Sequence, residues 1–215
     1  MKNVIIAGAS GMIGQLVLQN CLNDSTVNKV TSITRKPSGI KHERLIEVLH
    51  GDFLDFSKVK DHFKNQDCCF YCVGVYTGQV PTDEFRKITI GFTKAFADQL
   101  KRNSPEVSFS FLSGAGADSS ETSRILFAKE KGIAENYLLS LNFRQLSIFR
   151  PAYIYPVAPR IEPNFGYKVM RLLYKPLSIV YPNGTVTSVK LASKMTEVGL
   201  YGSTQIIYEN RDIRQ

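Results

Sequence analysis

Between Asn3 and Gly14 the chain reads Asn-Val-Ile-Ile-Ala-Gly-Ala-Ser-Gly-Met-Ile-Gly, and this stretch constrains the fold more than any other. An apolar run, Val4 to Ala7, meets Gly8; glycine returns at Gly11 and Gly14, and a helical pattern with Leu16, Val17 and Leu18 follows. The order is strand, tight turn, helix. Gly8 allows the sharp turn out of the strand, Gly11 lets a pyrophosphate come close to the backbone, and Gly14 lets helix and strand pack tightly. The amino terminus of the helix adds unpaired N–H groups and the positive end of its dipole. Three glycines by themselves make only a turn. Between a strand and a helix they predict a bound dinucleotide, its pyrophosphate held by Gly8, Ser10, Gly11, Met12, Ile13 and Gly14.

The same alternation runs on along the chain. Strands are predicted over residues 3–7, 29–34, 45–50, 68–73, 108–113, 145–150 and 205–209, and helices over 12–22, 57–64, 83–102, 121–141 and 188–201. Strands separated by helices argue for a parallel sheet covered on both faces. Right-handed crossovers then give an α/β, doubly wound Rossmann fold with a sheet of about seven strands. Residues 1–215 read as a single domain with enough sequence for a sizeable core. From Tyr153 to Pro182 the rhythm breaks, with five prolines and an aromatic-rich short helix. This stretch, with Phe165, Tyr167, Met170, Leu172, Leu173 and Tyr174, is expected to form a small lobe on the substrate side. It reads as an apolar pocket wall, a partner-binding surface or plain core.

No apolar stretch approaches the ~20 residues that cross a bilayer, and the amino terminus reads as a core strand rather than a signal peptide. Residence in the cytoplasm is therefore expected. Of the four cysteines, Cys68, Cys69 and Cys72 share one strand-like run, Cys-Cys-Phe-Tyr-Cys-Val. Adjacent positions of a strand point to opposite faces, and no second cysteine or histidine pair completes a tetrahedral set. Buried thiols are expected, and no metal. The net charge of +8 is spread along the chain without a nucleic-acid motif. A basic solvated surface accounts for it, and neither nucleic acid nor a membrane is expected as a partner.

One basic pair stands apart. The second strand ends Ile33-Thr34-Arg35-Lys36-Pro37, where a cofactor with a free ribose 2′-hydroxyl would favour a carboxylate. No acidic residue lies between Val30 and Ile40. Arg35 offers a fork suited to a 2′-phosphate and Lys36 adds charge, so NADP(H) is expected over NAD(H); the plain alternative is two solvated cations. Asp52, followed by Phe53, sits after the third strand and either accepts from the adenine amino group or caps the helix near Ser57. Cys72, Val73 and Gly74 close the fourth strand, where a small residue lets the cofactor ribose lie close.

The fifth strand leads into Leu112-Ser113-Gly114-Ala115-Gly116-Ala117-Asp118, and a helix opens with Phe127-Ala-Lys-Glu-Lys131. With the Gly-Ala-Ser-Gly-x-x-Gly turn and Arg150-Pro151-Ala152-Tyr153-Ile154-Tyr155-Pro156, these residues resemble an atypical short-chain dehydrogenase/reductase. The Leu-Ser-Gly-Ala-Gly-Ala-Asp run and the ending Tyr208-Glu209-Asn210-Arg211-Asp212-Ile213 are similar to the Tat-interacting-protein oxidoreductases within the epimerase-dehydratase-like group. The resemblance spans nearly the whole chain. It implies cofactor contacts from Lys131, Pro151, Ala152 and Tyr153, and a catalytic set of Ser, then Tyr-x-x-x-Lys. Ser113 and Lys131 match two of the three; the tyrosine position is Phe127, whose ring cannot pass a proton. Tyr76, Tyr153 and Tyr155 are the candidate substitute acids. Two functions follow: a reductase of a small carbonyl or enone that draws on NADPH, or a non-catalytic NADP(H)-sensing module that binds another protein.

Overall fold

The computed structural model describes residues 1–158, 169, 171–174, 176 and 180–215. Its layering follows from alternation along the first strand, β1 (Lys2–Ala7). Val4 and Ile6 point to one side, into a core shared with Val17, Leu18, Leu191 and Met195. Ile5 and Ala7 point to the other, into a core with Phe53, Phe63, Phe96 and Leu138. The run from Val4 to Ala7, apolar at every position, is thus buried on both faces, as a parallel sheet requires.

The elements run β1, α1 (Met12–Asn23), β2 (Val27–Thr34), β3 (Leu45–Leu49), a 3₁₀ segment (Ser57–Phe63), β4 (Cys68–Tyr71) and α2 (Thr82–Arg86). A π-helical stretch (Lys87–Phe92) leads into α3 (Thr93–Asn103), followed by β5 (Ser108–Leu112), α4 (Leu126–Ser140) and β6 (Gln145–Arg150). The remaining described elements are β7 (Tyr153–Tyr155), a 3₁₀ turn (Pro182–Gly184), β8 (Thr185–Thr187), α5 (Ser188–Tyr201), β9 (Ile207–Glu209) and α6 (Asn210–Arg214). Seven strands form one sheet in the order β3-β2-β1-β4-β5-β6-β9, all parallel. This is the expected doubly wound Rossmann fold. Strand order reverses between β1 and β4, and ligands of such sheets bind outside the carboxyl ends at that point.

Several details differ from the sequence reading. The helix predicted from residue 121 begins only at Leu126, because the Asp118 carboxylate accepts from the backbone N–H groups of Ser120, Thr122 and Ser123 and holds a loop there. The predicted helix at 57–64 is a 3₁₀ segment kinked at Val59. Asp55, not Asp52, accepts from the Ser57 N–H at its start (2.8 Å). The fourth strand stops at Tyr71, short of Val73. A second, two-stranded sheet pairs β7 with β8 in parallel, so both ends of the anticipated lobe are fixed. Phe165, Tyr167 and Met170 lie outside the described residues. Leu172 and Leu173 are exposed, and Tyr174 stacks on Tyr155 with ring centroids 3.9 Å apart. Cys68 and Cys69 enter opposite cores, and all four cysteines are free thiols.

Candidate functional site

The glycine turn is shaped by what a side chain would hit. Gly8 has φ +85°, and a Cβ there would come within 2.8 Å of the Cys72 carbonyl. A Cβ on Gly14 would come within 2.1 Å of the Gly8 carbonyl oxygen. The Gly11 N–H closes the turn on that same oxygen at 2.9 Å. No side chain caps the first turn of α1, so the positive end of its dipole opens on the space above the turn.

Two adjoining clefts form a trough along the carboxyl ends of the sheet. At one end lies a cleft of about 110 Å³ lined by Gly8, Ser10, Gly11, Arg35, Phe53, Ile88 and Phe92. It shares Gly11, Cys72, Val73, Gly74 and Val75 with a cavity of about 420 Å³. Met12, Ile13, Tyr76, Thr77, Leu112, Ser113, Gly114, Phe127, Lys131, Pro151, Ala152 and Ile154 complete the cavity wall. Most of the anticipated cofactor set therefore lines one or other of these two clefts, with Gly14 directly behind the turn, whereas Lys36, Asp52 and Tyr153 line neither.

The residues after β2 present a cation. The Thr34 hydroxyl donates to the Lys36 carbonyl (2.8 Å) and bends the chain, leaving Arg35 exposed at the cleft. Among the described residues no carboxylate or carbonyl takes up its guanidinium. Lys36 is exposed beside it but does not line the cleft. Asp52 is outside as well, because its Oδ1 accepts from the Leu54 N–H at 2.9 Å in a local turn.

At the far end the side chains are tightly coupled. The Ser113 hydroxyl donates to Glu135, which projects from α4 one turn beyond Lys131 and is 1% exposed. Arg150 at the end of β6 holds the same carboxylate through Nη2 (2.5 Å) and Nε (3.2 Å), and its Nη1 reaches Glu209 on β9 at 3.1 Å. The carboxylates raise the Arg150 pKa still further, Glu135 foremost. Lys131 donates to the Leu112 carbonyl (3.2 Å) and lies 5.0 Å above the Phe111 ring. Burial pulls the Lys131 ammonium down to about 8, against the opposing fields of Glu135 and Cys72. Burial also pushes the Cys72 thiol up to about 12. Phe127 fills the tyrosine position with its ring pressed on Gly114, where a Cβ would come within 2.4 Å.

Of the three candidate acids only Tyr76 lines the cavity. Side chains of a strand alternate, so Ile154, which lines it, sends Tyr153 and Tyr155 to the other face. Glu135 escaped sequence reasoning. Its signal was a carboxylate four residues after Lys131, on the same face of the helix.

The fold and trough define a Rossmann-type dinucleotide-binding protein. A sequence model of a family described as NAD(P)H-binding matches residues 8–145, and the chain belongs to that family. It is 31% identical to protein HTATIP2 of Rattus norvegicus over 87% of its own length and 76% of the relative's, in keeping with the resemblance drawn from the motifs. Protein FMP52, mitochondrial, of Debaryomyces hansenii is 24% identical over 69% of this chain and 65% of the relative. Among solved structures, the Bordetella bronchiseptica enzyme WbmH in complex with NAD⁺ superposes with a TM-score of 0.71 at 18% identity, over 97% of this chain and 74% of that one. A UDP-N-acetylglucosamine 4-epimerase from Methanobrevibacter ruminantium gives 0.70 at 18% identity, over 96% and 74%. These two likenesses concern the fold.

Proposed function

We propose that the chain is an NADPH-dependent reductase of a small, apolar carbonyl or enone. The observation that carries this reading is the pair of adjoining clefts that share Gly11 and the residues from Cys72 to Val75, one reaching Arg35 and the other holding Ser113 and Lys131. Gly8, Ser10, Gly11, Met12, Ile13 and Gly14 would cradle the pyrophosphate, Phe53 would flank the adenine, and Arg35 would take the 2′-phosphate through a charge-assisted fork. Lys36, exposed nearby, adds positive field. Pro151 and Ala152 would back the nicotinamide half, and bound NADPH would supply a hydride. The cavity walls are mostly apolar, with Val73, Val75, Leu112, Phe127 and Ile154, which suits a small apolar substrate.

Fluorescence titration with NADPH and NADH tests the cofactor claim. Losing charge-assisted bonds worth ~1.5–3 kcal/mol, Arg35→Ala should weaken NADPH ~10- to 100-fold and leave NADH unchanged. Equal wild-type affinity for the two cofactors refutes the preference. Phe127 favours a second reading, an NADP(H)-sensing module that engages another protein, because no hydroxyl stands at the tyrosine position. Tight NADPH binding without turnover of any carbonyl in a broad panel would establish that alternative. We also place the protein in the cytoplasm; co-fractionation with mitochondria would overturn that placement.

A further inference from the structure

We infer that Lys131 itself delivers the proton to the substrate oxygen, taking over the task of the tyrosine hydroxyl that Phe127 lacks. This rests on the reductase reading above. Among the described residues lining the cavity, the side chains with an N–H or O–H to offer are Tyr76, Thr77, Ser113 and Lys131. Ser113 has one proton, and it is directed at Glu135. Arg150 holds the same carboxylate, so the Ser113 proton is committed to that network and is not the one offered to the substrate oxygen. Thr77 is exposed and Tyr76 half-buried in the loop after β4, at the rim.

Lys131 sits deeper. It is 8% exposed, one helical turn from Phe127, and fixed by the Leu112 carbonyl and the Phe111 ring beneath it. The carbonyl takes one of its three N–H groups, and two remain. The groups facing it are Glu135 on the same helix, with Arg150 of β6 behind, Cys72 from the end of β4, and Tyr76 across the cavity. Cys72 stays a neutral thiol and Glu135 is engaged by Arg150. Burial therefore governs the ammonium, which holds its proton at neutral pH yet releases it readily.

Bound NADPH would supply a hydride to the carbonyl carbon, with the C=O π pair moving to oxygen. That oxygen takes a proton from the Lys131 ammonium, leaving a neutral amine that regains a proton from solvent. The products are an alcohol and NADP⁺.

The test begins without turnover. Competitive labelling of the cofactor-free protein with acetic anhydride, read by peptide mass spectrometry, should show Lys131 titrating near pH 8. A midpoint shared with the surface lysines overturns the proposal. Lys131→Arg keeps the cation but holds its proton throughout the neutral range. A circular-dichroism spectrum and melting temperature like those of the wild type should show an intact fold, while kcat at saturating NADPH falls ~10²- to 10⁴-fold. Adding Phe127→Tyr to that variant should restore kcat at least tenfold. Wild-type kcat should decline as pH rises through about 8. Undiminished kcat in Lys131→Arg overturns the proposal alone, as does a loss confined to Tyr76→Phe. Absence of any carbonyl turnover by wild type that still binds NADPH overturns the reductase reading, and with it this one, whatever the labelling midpoint.

Discussion

Replacing Arg150 with methionine keeps most of the side-chain stem and removes the guanidinium that pairs with Glu135. The carboxylate left behind is 1% exposed and retains the Ser113 hydroxyl as its hydrogen-bond donor. Taking one partner from a buried ion pair costs about 3–5 kcal/mol, because the remaining charge has neither water nor a counter-ion. The lost links to Glu209 and Ser119 add little, since both of those residues reach solvent. For a chain of this length ~2–4 °C of melting temperature goes with each kcal/mol, so a fall of ~6–20 °C is expected. Urea unfolding followed by circular dichroism at pH 7 measures the loss. Adding Glu135→Gln, which removes the charge but keeps an acceptor for Ser113, should recover most of the loss. A loss below ~1 kcal/mol, or no recovery on adding Glu135→Gln, refutes the idea that Arg150 neutralises a buried charge.

Gly14→Ala forces a Cβ to within 2.1 Å of the Gly8 carbonyl oxygen; a loss of ~1–3 kcal/mol and of NADPH binding is expected by thermal melt and fluorescence titration. Arg44 donates to the carbonyls of Asp24 (2.9 Å) and Leu22 at the end of α1, and to Val27 (2.5 Å). Arg44→Ala should cost ~1–3 kcal/mol in urea and leave NADPH affinity unchanged. Lys131 is depressed to about 8 in the folded chain against about 10.4 unfolded. Between those values the unfolded chain binds more protons, so this group makes stability rise with pH, and Lys131→Met should abolish that component in unfolding curves at pH 8 and pH 10.

Much of the fold and half of the site were legible in the chain because they depend on near neighbours. Gly8, Gly11 and Gly14 announce a strand–turn–helix because their spacing fixes backbone geometry within a dozen residues, and Arg35 follows its strand directly. Phe127 and Lys131 declare themselves by being one helical turn apart. Elsewhere the sequence allowed two answers and packing chose. Asp52 and Asp55 are both suited to a local turn, and only Asp55 lies at the start of the 3₁₀ segment. Alternation says that Ile154 and its tyrosine neighbours face opposite ways, but not which side meets the cavity. That choice came with the pairing of β7 and β8, strands far apart in the chain. The union of Ser113, Glu135, Arg150 and Glu209 was invisible for the same reason. Each residue is unremarkable beside its own neighbours, and their chemistry exists only because the sheet order sets β5, β6, β9 and α4 side by side. Covalent geometry and hydrogen bonding between neighbours act within a turn or a strand, whereas the meeting of distant charges depends on where the whole sheet carries them.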